Sequence, residues 1–158
     1  MSLMTVLSVV YLYLPAYFAN ASPVVFGGGD PLDGGRKWLD GKPFLGSHKT
    51  VKGTLFGIIV GAAVGFLQGN PLGGVLQSVG AVAGDIVASF FKRRWNLMPG
   101  ESMPLVDQLD FITFAVLLSY SVQRVSLADV AVILVLTVPI HYAVNYVAWV
   151  LGLKDHPW

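Results

Sequence analysis

The chain has 158 residues and a net charge of +1, with 54% hydrophobic and only 12% charged residues, and its mean hydropathy is +0.66. A soluble domain carries about 25% charged residues, so this balance excludes an ordinary soluble fold and predicts an integral membrane protein. Cysteine is absent, which excludes disulfides and thiolate metal sites; the few cations lie beside apolar runs, which argues against a nucleic-acid partner.

Five apolar runs predict five transmembrane helices in a single all-α domain, each near the ~20 residues that cross ~30 Å of hydrocarbon. The first covers residues 3–19. Its end, Ala19-Asn20-Ala21, resembles a signal-peptidase site, but no Lys or Arg precedes the run and it is long for a signal peptide, so a retained span is expected. A loop over 20–50 follows. It is glycine-rich and too long for a bare linker. Glycines let backbone N–H groups approach phosphate, yet Gly27-Gly28-Gly29-Asp30 is no known phosphate fingerprint. Asp30, Asp33 and Asp40 could hold a metal or cap turns, and the Asp-Pro-Leu-Asp-Gly-Gly stretch from Asp30 favours turns for the first two.

The second run, 51–68, places Gly53, Gly57, Gly61 and Gly65 on one face, and Gly69 and Gly73 extend the spacing. The third, 72–91, does the same with Gly80, Gly84 and Ala88. Small residues at this interval let helices approach closely in lipid, so these two helices are expected to pack together. A second loop covers 92–104. The fourth run is 105–123 and the fifth 130–151. His141 and Asn145 sit one turn apart in the fifth, suited to hydrogen bonds between helices or to a proton relay.

Lys and Arg set the orientation. Arg36, Lys37, Lys42 and Lys49 lie in the first loop and Lys92, Arg93 and Arg94 open the second, whereas Arg124 stands alone on the other side. Both loops are therefore expected in the cytoplasm, the N-terminus outside and the C-terminus, with Lys154, inside. The expected location is the cell membrane, multi-pass, with a polar site facing the cytoplasm.

The charges concentrate at that face. Asp85 lies ~10 Å deeper than Lys92. Asp85, Ser89 and Lys92 follow an i, i+4, i+7 pattern and share one helix face, as a polar stripe with an ion pair or as part of a site. Asp107 and Asp110 share a face at the start of the fourth run. Helix-dipole stabilisation accounts for Asp107 better than for Asp110, which lies further in. Carboxylates at 85, 107 and 110 suit a hard cation such as Mg2+, which takes one or two carboxylates with substrate phosphates. Lys92-Arg93-Arg94 is either a membrane anchor or, beside such a metal site, a phosphate clamp.

Ser89-Phe90-Phe91-Lys92-Arg93-Arg94 and Asp107-Gln108-Leu109-Asp110 resemble the signature of the CTP-dependent phosphatidate cytidylyltransferases, the CDP-diacylglycerol synthases. There S-x-x-K-R precedes a linker, a glycine-rich turn and D-R-x-D. The five spans, the short chain and the stretch from Pro31 to Gly53 resemble the small archaeal branch, the CDP-archaeol synthases. The resemblance covers roughly residues 22–111. Met98 and Pro99 depart from a family Lys-Asp, the turn shrinks to Pro99-Gly100, and Gln108 replaces Arg.

The resemblance implies a Mg2+-dependent nucleotidyltransferase. The phosphate of an isoprenoid glycerol phosphate lipid, of the 2,3-digeranylgeranylglyceryl phosphate type, would attack the α-phosphorus of CTP and release pyrophosphate. It implies catalytic roles for Asp85, Asp110 and Lys92, and metal ligation by Asp85, Asp107 and Asp110. Substrate contacts fall to Lys49, Thr50, Ser89, Arg93 and Arg94, with Arg94 at the lipid phosphate or the membrane surface. CDP-alcohol phosphotransferases need acid spacings that this chain lacks. A transporter using Asp85, His141 and Asn145 is the alternative, although no broken helices or repeated halves are evident in the sequence. The oligomeric state stays open, a homo-oligomer included.

Overall fold

A computed structural model describes residues 3–157, with side chains from residue 6 onward. The described residues are helical or in loops: α1 (Leu3–Leu12), α2 (Leu14–Phe26), α3 (Val51–Leu67), α4 (Pro71–Arg94), α5 (Val106–Ser119) and α6 (Leu127–Val150). By length and hydropathy α4 and α6 can each cross a membrane, as can α1 and α2 taken as one bent element; α3 is apolar but shorter. α5 has 14 residues and ends before the apolar run that contains it.

The first run is not one straight helix. It bends by 53° between α1 and α2 and stays helical through Phe26. The cause is Pro15. It has no N–H to give the Tyr11 carbonyl, four residues earlier. Ala16 N–H turns to the Tyr13 carbonyl at 3.0 Å, which frees the Leu12 carbonyl as well. Two glutamines from other helices take up the slack. Gln68 Nε2 donates to Tyr11 O at 2.6 Å, and Gln77 Nε2 to Leu12 O at 2.9 Å. An apolar environment tolerates a broken helix only when its freed backbone groups are paired in this way. Residues 19–21, the expected signal-like stretch, lie within α2.

Caps define the other helix starts. Thr50 Oγ1 accepts from Gly53 N before α3, and Asn70 Oδ1 accepts from Gly73 N before α4, with Pro71 in the first turn. Ser126 and Asp129 form a reciprocal capping box before α6.

The two glycine stripes do not simply face each other. The α3 stripe lies in a groove between α2 and α4: a methyl at Gly61 would collide with Ser78 Oγ of α4 and the Pro15 carbonyl of α2, and Gly65 meets Gly74 backbone to backbone. The α4 stripe turns toward α5. A methyl at Gly80 would strike the Phe114 carbonyl, and one at Gly84 the Asp110 carbonyl. As the number rises along α4 it falls along α5, so the pair is antiparallel. α4 is thus the centre of the bundle. Tyr13, Ala81, Phe111, Ile112, Ala115 and Ile133 fill the core. α6 lies outside α5, with Tyr17 and Thr137 hydroxyls 2.6 Å apart joining α2 to α6.

Gln77 is fully buried and also donates to Gln123 Oε1 at 2.8 Å. Replacing it with Leu keeps the volume but strands the Leu12 carbonyl. We expect Gln77→Leu to lower stability by roughly 1–3 kcal/mol, read as an earlier unfolding midpoint in detergent. An unchanged midpoint would mean that this carbonyl is satisfied without Gln77.

Candidate functional site

The polar end of the bundle is built from the loop 27–50, the last turns of α4, the linker 95–105 and the start of α5. The loop is folded onto itself. Antiparallel bridges pair Pro31 with Thr50 and Lys37 with Pro43. Asp33 is its hub: one carboxylate oxygen accepts from Gly35 N at 2.9 Å, the other from Leu45 N at 2.8 Å and Gly46 N at 3.4 Å. Asp33 therefore shapes turns, as the sequence pattern suggests. Burial pushes its carboxyl up, but the backbone N–H donors outweigh that and hold it below the usual aspartate range.

Trp38, Phe44 and Phe90 form a three-ring cluster with centroids 5.2–5.4 Å apart, seating the loop on α4. Arg94 completes the seat. Its Nε is 2.9 Å from Asp40 Oδ2, its guanidinium stacks 4.4 Å from the Phe90 ring centroid, and it donates to the Pro43 carbonyl. Lys42 Nζ returns a bond to the Arg94 carbonyl at 2.8 Å. Arg94 thus has loop-holding partners that sequence spacing does not reveal.

Two ion pairs lie at the centre. Lys49, just before the α3 cap, reaches Asp85 on α4 with Nζ 2.7 and 2.6 Å from the two carboxylate oxygens. Lys92 reaches Asp107 at 2.9 and 3.0 Å. The shared face of Asp85, Ser89 and Lys92 is real, but the pair within the helix is not formed. A rise of ~10 Å over seven residues is too far for contact, so each charge pairs across elements. Asp107 Oδ2 also accepts from Met103 N at 2.8 Å. Ser89 is buried one turn beyond Asp85.

α5 starts abruptly. Leu105 has φ of +67°, unusual for a bulky side chain, and its N–H donates to Gln108 Oε1. Gln108 is buried and acts as a local cap where the resembling family has Arg. Asp110 is half-buried, its Oδ1 accepting from Phe111 N. Its carbonyl faces Gly84, whose neighbour is Asp85, so the glycine contact brings these two elements together at the acids.

Arg93 is 4% exposed, and its Nε and Nη1 are buried without a hydrogen-bond partner. It lies beside Gly46, where a methyl would stand 3.4 Å from Nη1 and 3.2 Å from Pro99 Cγ. Gly100, at φ of +92°, adjoins the His48 ring. The linker therefore leans on the first loop through Pro99 and Gly100. α4 ends in a Schellman motif with Asn96 at φ of +62°: Asn96 N bonds Arg93 O and Leu97 N bonds Lys92 O.

A cleft of about 40 Å³ opens at the first ion pair, lined by Asn20, Pro23, His48, Lys49, Thr50 and Asp85 among others. A broader concavity of about 550 Å³ lies on the loop, lined by Asp33, Arg36, Lys37, Trp38 and Phe44 with neighbours. His141 and Asn145 bond each other within α6, Nδ2 to Nδ1 at 3.1 Å, rather than bridging helices. The His141 ring lies against Phe111, centroids 6.0 Å apart.

Among the described residues no group of three or more His, Asp or Glu is gathered as a metal cage. The structure therefore does not draw Asp85, Asp107 and Asp110 into one such cluster. The donor chemistry still fits Mg2+: carboxylate oxygens near one helix contact, with an unpaired guanidinium nearby for phosphate, suit an ion whose shell a substrate completes.

The CarS-like CDP-archaeol synthase family matches this chain over residues 2–73 and 70–158. A CDP-archaeol synthase of Thermococcus gammatolerans is 44% identical over 161 residues, covering 94% of each chain. That of Thermococcus onnurineus is 42% identical over the whole of both. That of Methanocaldococcus jannaschii is 40% identical, covering 94% of this chain and 95% of its own. A solved structure described as an intramembrane enzyme for archaeal membrane lipids biosynthesis matches with a TM-score of 0.77 and 34% identity, covering 89% of this chain and 94% of that one.

The lowered pKa of Asp33 has a signed consequence. Its contribution to loop stability is complete above the unfolded aspartate value of ~3.9 and disappears as pH falls through the lower folded value. Hydrogen exchange at Gly35 and Leu45 should stay protected down to about pH 4 and open below it. Asp33→Asn, with one acceptor oxygen in place of two, should expose at least one of the two amides already at neutral pH. Equal protection in the variant would remove Asp33 as the hub.

Proposed function

This chain belongs to the CDP-archaeol synthase family, and from that premise we propose how its residues carry out the reaction. The protein is a CTP-dependent cytidylyltransferase of archaeal lipid synthesis and a membrane enzyme. The family relationship leaves the transport alternative unsupported, although α1–α2 is a broken helix; Asp85 is paired with Lys49, and Asn145 is engaged by His141 and Lys154.

In the proposed arrangement the bent α1–α2 element, α3, α4, α5 and α6 supply five spans. The loop 27–50 and the linker 95–105 face the cytoplasm, as the Lys and Arg distribution favours. CTP enters from that side, and the lipid acceptor keeps its isoprenoid chains in the bilayer.

The pairing of lysines with aspartates is the observation that carries the assignment. The cleft at the first ion pair is small, about 40 Å³, so the nucleotide displaces the pairs instead of filling a vacancy. Lys49 and Lys92 exchange a carboxylate for a phosphate, and the carboxylates they leave become available. Arg93 presents its buried, unpartnered Nε and Nη1 to the same phosphates. Thr50 and Ser89 border the site. Arg94 keeps the loop seated and acts on substrate through that loop.

Asp85 and Asp110, with Asp107 beside them, would hold Mg2+ jointly with substrate phosphate oxygens. Such an ion, when bound, shields the approaching anions and stabilises the leaving pyrophosphate. The lipid phosphate is already ionised and needs no general base. Its oxygen attacks the α-phosphorus of CTP, the bond to pyrophosphate breaks, and the CDP-lipid forms. The residues supply position and positive charge.

The test is transfer of α-label from CTP to a geranylgeranylated glycerol phosphate by the purified protein with Mg2+. Label should enter the lipid phase with pyrophosphate released, and chelation should stop it. Asp110→Asn and Lys92→Ala should each reduce turnover by about a hundredfold or more while the protein stays folded in detergent. Full activity in either variant removes that residue from the mechanism. No transfer to this or a diacyl acceptor, from folded protein, would sink the assignment.

A further inference from the structure

The middle of the loop 27–50 is a short hairpin. Lys37 and Pro43 pair across it, Trp38 N–H donates to the Lys42 carbonyl at 2.8 Å, and Phe44 N–H donates to the Arg36 carbonyl at 2.9 Å. Its turn is tight. Gly41, at φ of +77°, donates its N–H to the Trp38 carbonyl at 2.9 Å, and Asp40 Oδ1 accepts from Lys42 N at 3.0 Å. Leu39 is left at the tip. It is 95% exposed, more than any other large apolar side chain among the described residues. Both of its neighbours are tied to the last turns of α4. Trp38 meets the Phe90 ring edge-on, centroids 5.4 Å apart, and Asp40 pairs with Arg94 at 2.9 Å. The tip is therefore held beside the end of α4. Phe91 and Trp95 lie at that same end, 48% and 58% exposed, with ring centroids 6.1 Å apart. Exposed aromatic rings at the end of an apolar helix of spanning length mark the headgroup layer of a bilayer.

The charge on the hairpin is lopsided. Arg36, Lys37 and Lys42 stand against one acid, Asp40. Asp40 is taken by Arg94, and Lys42 by the Arg94 carbonyl. Arg36 and Lys37 are exposed, and among the described residues neither side chain has a hydrogen bond or ion pair. With Trp38 and Phe44 they line the concavity of about 550 Å³. Asp33 lines it too, but its oxygens are engaged by the N–H groups of Gly35, Leu45 and Gly46. Two open cations, an aromatic wall and a bare leucine thus make one surface that is basic and apolar at once. Water suits the cations and hydrocarbon suits the leucine; the anionic face of a bilayer suits both.

We propose that the hairpin 36–43 docks on the anionic headgroup layer of the protein's own bilayer, with Leu39 and the Trp38 ring in the interfacial region and Arg36 and Lys37 on lipid phosphates. The inference goes beyond the transfer reaction. It concerns how the loop is attached to the membrane, and it stands whether or not the acids of α4 and α5 hold a metal. Its consequence is positional. The hairpin runs directly into the segment that carries Lys49, so the leaflet supports that segment alongside the aromatic cluster and Asp33.

The absence of cysteine makes the test direct. The full chain with Leu39→Cys, carrying one nitroxide, is reconstituted in nanodiscs of phosphatidylglycerol and, separately, of phosphatidylcholine. Relaxation of the label by oxygen, which concentrates in lipid, is compared with relaxation by an uncharged, water-soluble nickel chelate. Leu39, Arg36 and Lys37 are all exposed, so their substitution removes no packing contact. In phosphatidylglycerol the label should be open to oxygen and reached by nickel about fivefold less than in phosphatidylcholine, the least expected when basic side chains meet an anionic leaflet. Adding Arg36→Gln with Lys37→Gln should return nickel access to the phosphatidylcholine value, and Arg36→Lys should leave it low. Nickel access equal in the two lipids and typical of a hydrated label would put the tip in water and overturn the proposal. Equal protection in both lipids, unmoved by the double substitution, would mean apolar burial without phosphate recognition and overturn it as well. Spin–spin broadening between labels would put a second copy of the chain on the tip and overturn it in favour of a protein contact.

Discussion

Backbone contact through glycine is the constraint on which the rest of this structure depends. α4 touches α3 and α5 at positions where a single methyl group would collide with main-chain atoms. Close approach of this kind takes the place of the hydrophobic driving force that is missing between helices in lipid. It also sets the spacing of the site. Gly84 lets α5 come down on α4 beside Asp85, and the carbonyl it meets belongs to Asp110. A larger residue at 84 would move an acid, since no flexible side chain lies there to absorb the displacement.

At the polar end two carboxylates and two ammonium groups, Asp85 with Lys49 and Asp107 with Lys92, neutralise one another across elements. Lys49 joins the loop to α4, and Lys92 joins α4 to α5. Partly buried charges without partners would be costly, so the two lysines rest closed on the two aspartates, while Arg93 is left with buried, unpartnered nitrogens. A highly charged substrate offers those lysines a competing partner. Arg94 belongs to a different layer: with Asp40, Pro43 and Phe90 it fixes the loop that carries Lys49. In the proposed assignment the chemistry depends on a loop with no regular secondary structure of its own, and the aromatic rings and Asp33 supply the rigidity that a helix would otherwise provide.

Much of this was legible in the sequence, for physical reasons that differ from place to place. Apolar runs over 51–68, 72–91 and 130–151 are helical, because hydropathy and helix length carry the same signal. The bend at Tyr13 was hidden inside one continuous apolar run, although Pro15 was its visible cause. The short α5 was overextended because Tyr120, Val122 and their neighbours are apolar enough to continue the pattern after the helix has stopped. Acids and cations stood out as a candidate set, since they are rare in so apolar a chain, and Asp85, Lys92 and Asp107 lie at one end of the bundle. Their partners were not legible. Spacing along a helix suggested Asp85 with Lys92, whereas Lys49 and Asp107 arrive from segments whose position only the folded loop and linker determine.

The unequal lengths of α4 and α5 have a consequence for a membrane around them. Gly84 is level with Asp110; from there α4 continues ten residues to Arg94, while α5 began only four residues earlier, at Val106. At 1.5 Å per residue those stretches are ~15 Å and ~6 Å, so α5 falls short of its neighbour by ~9 Å. The shortfall is a dent whose floor is the acid-bearing start of α5. Lipid beside a short hydrophobic wall thins to match it. With α5 as a span, as in the proposed arrangement, the bilayer surface would be drawn down on the α5 flank, and a headgroup there would stand at the level of the carboxylates without its chains leaving the leaflet.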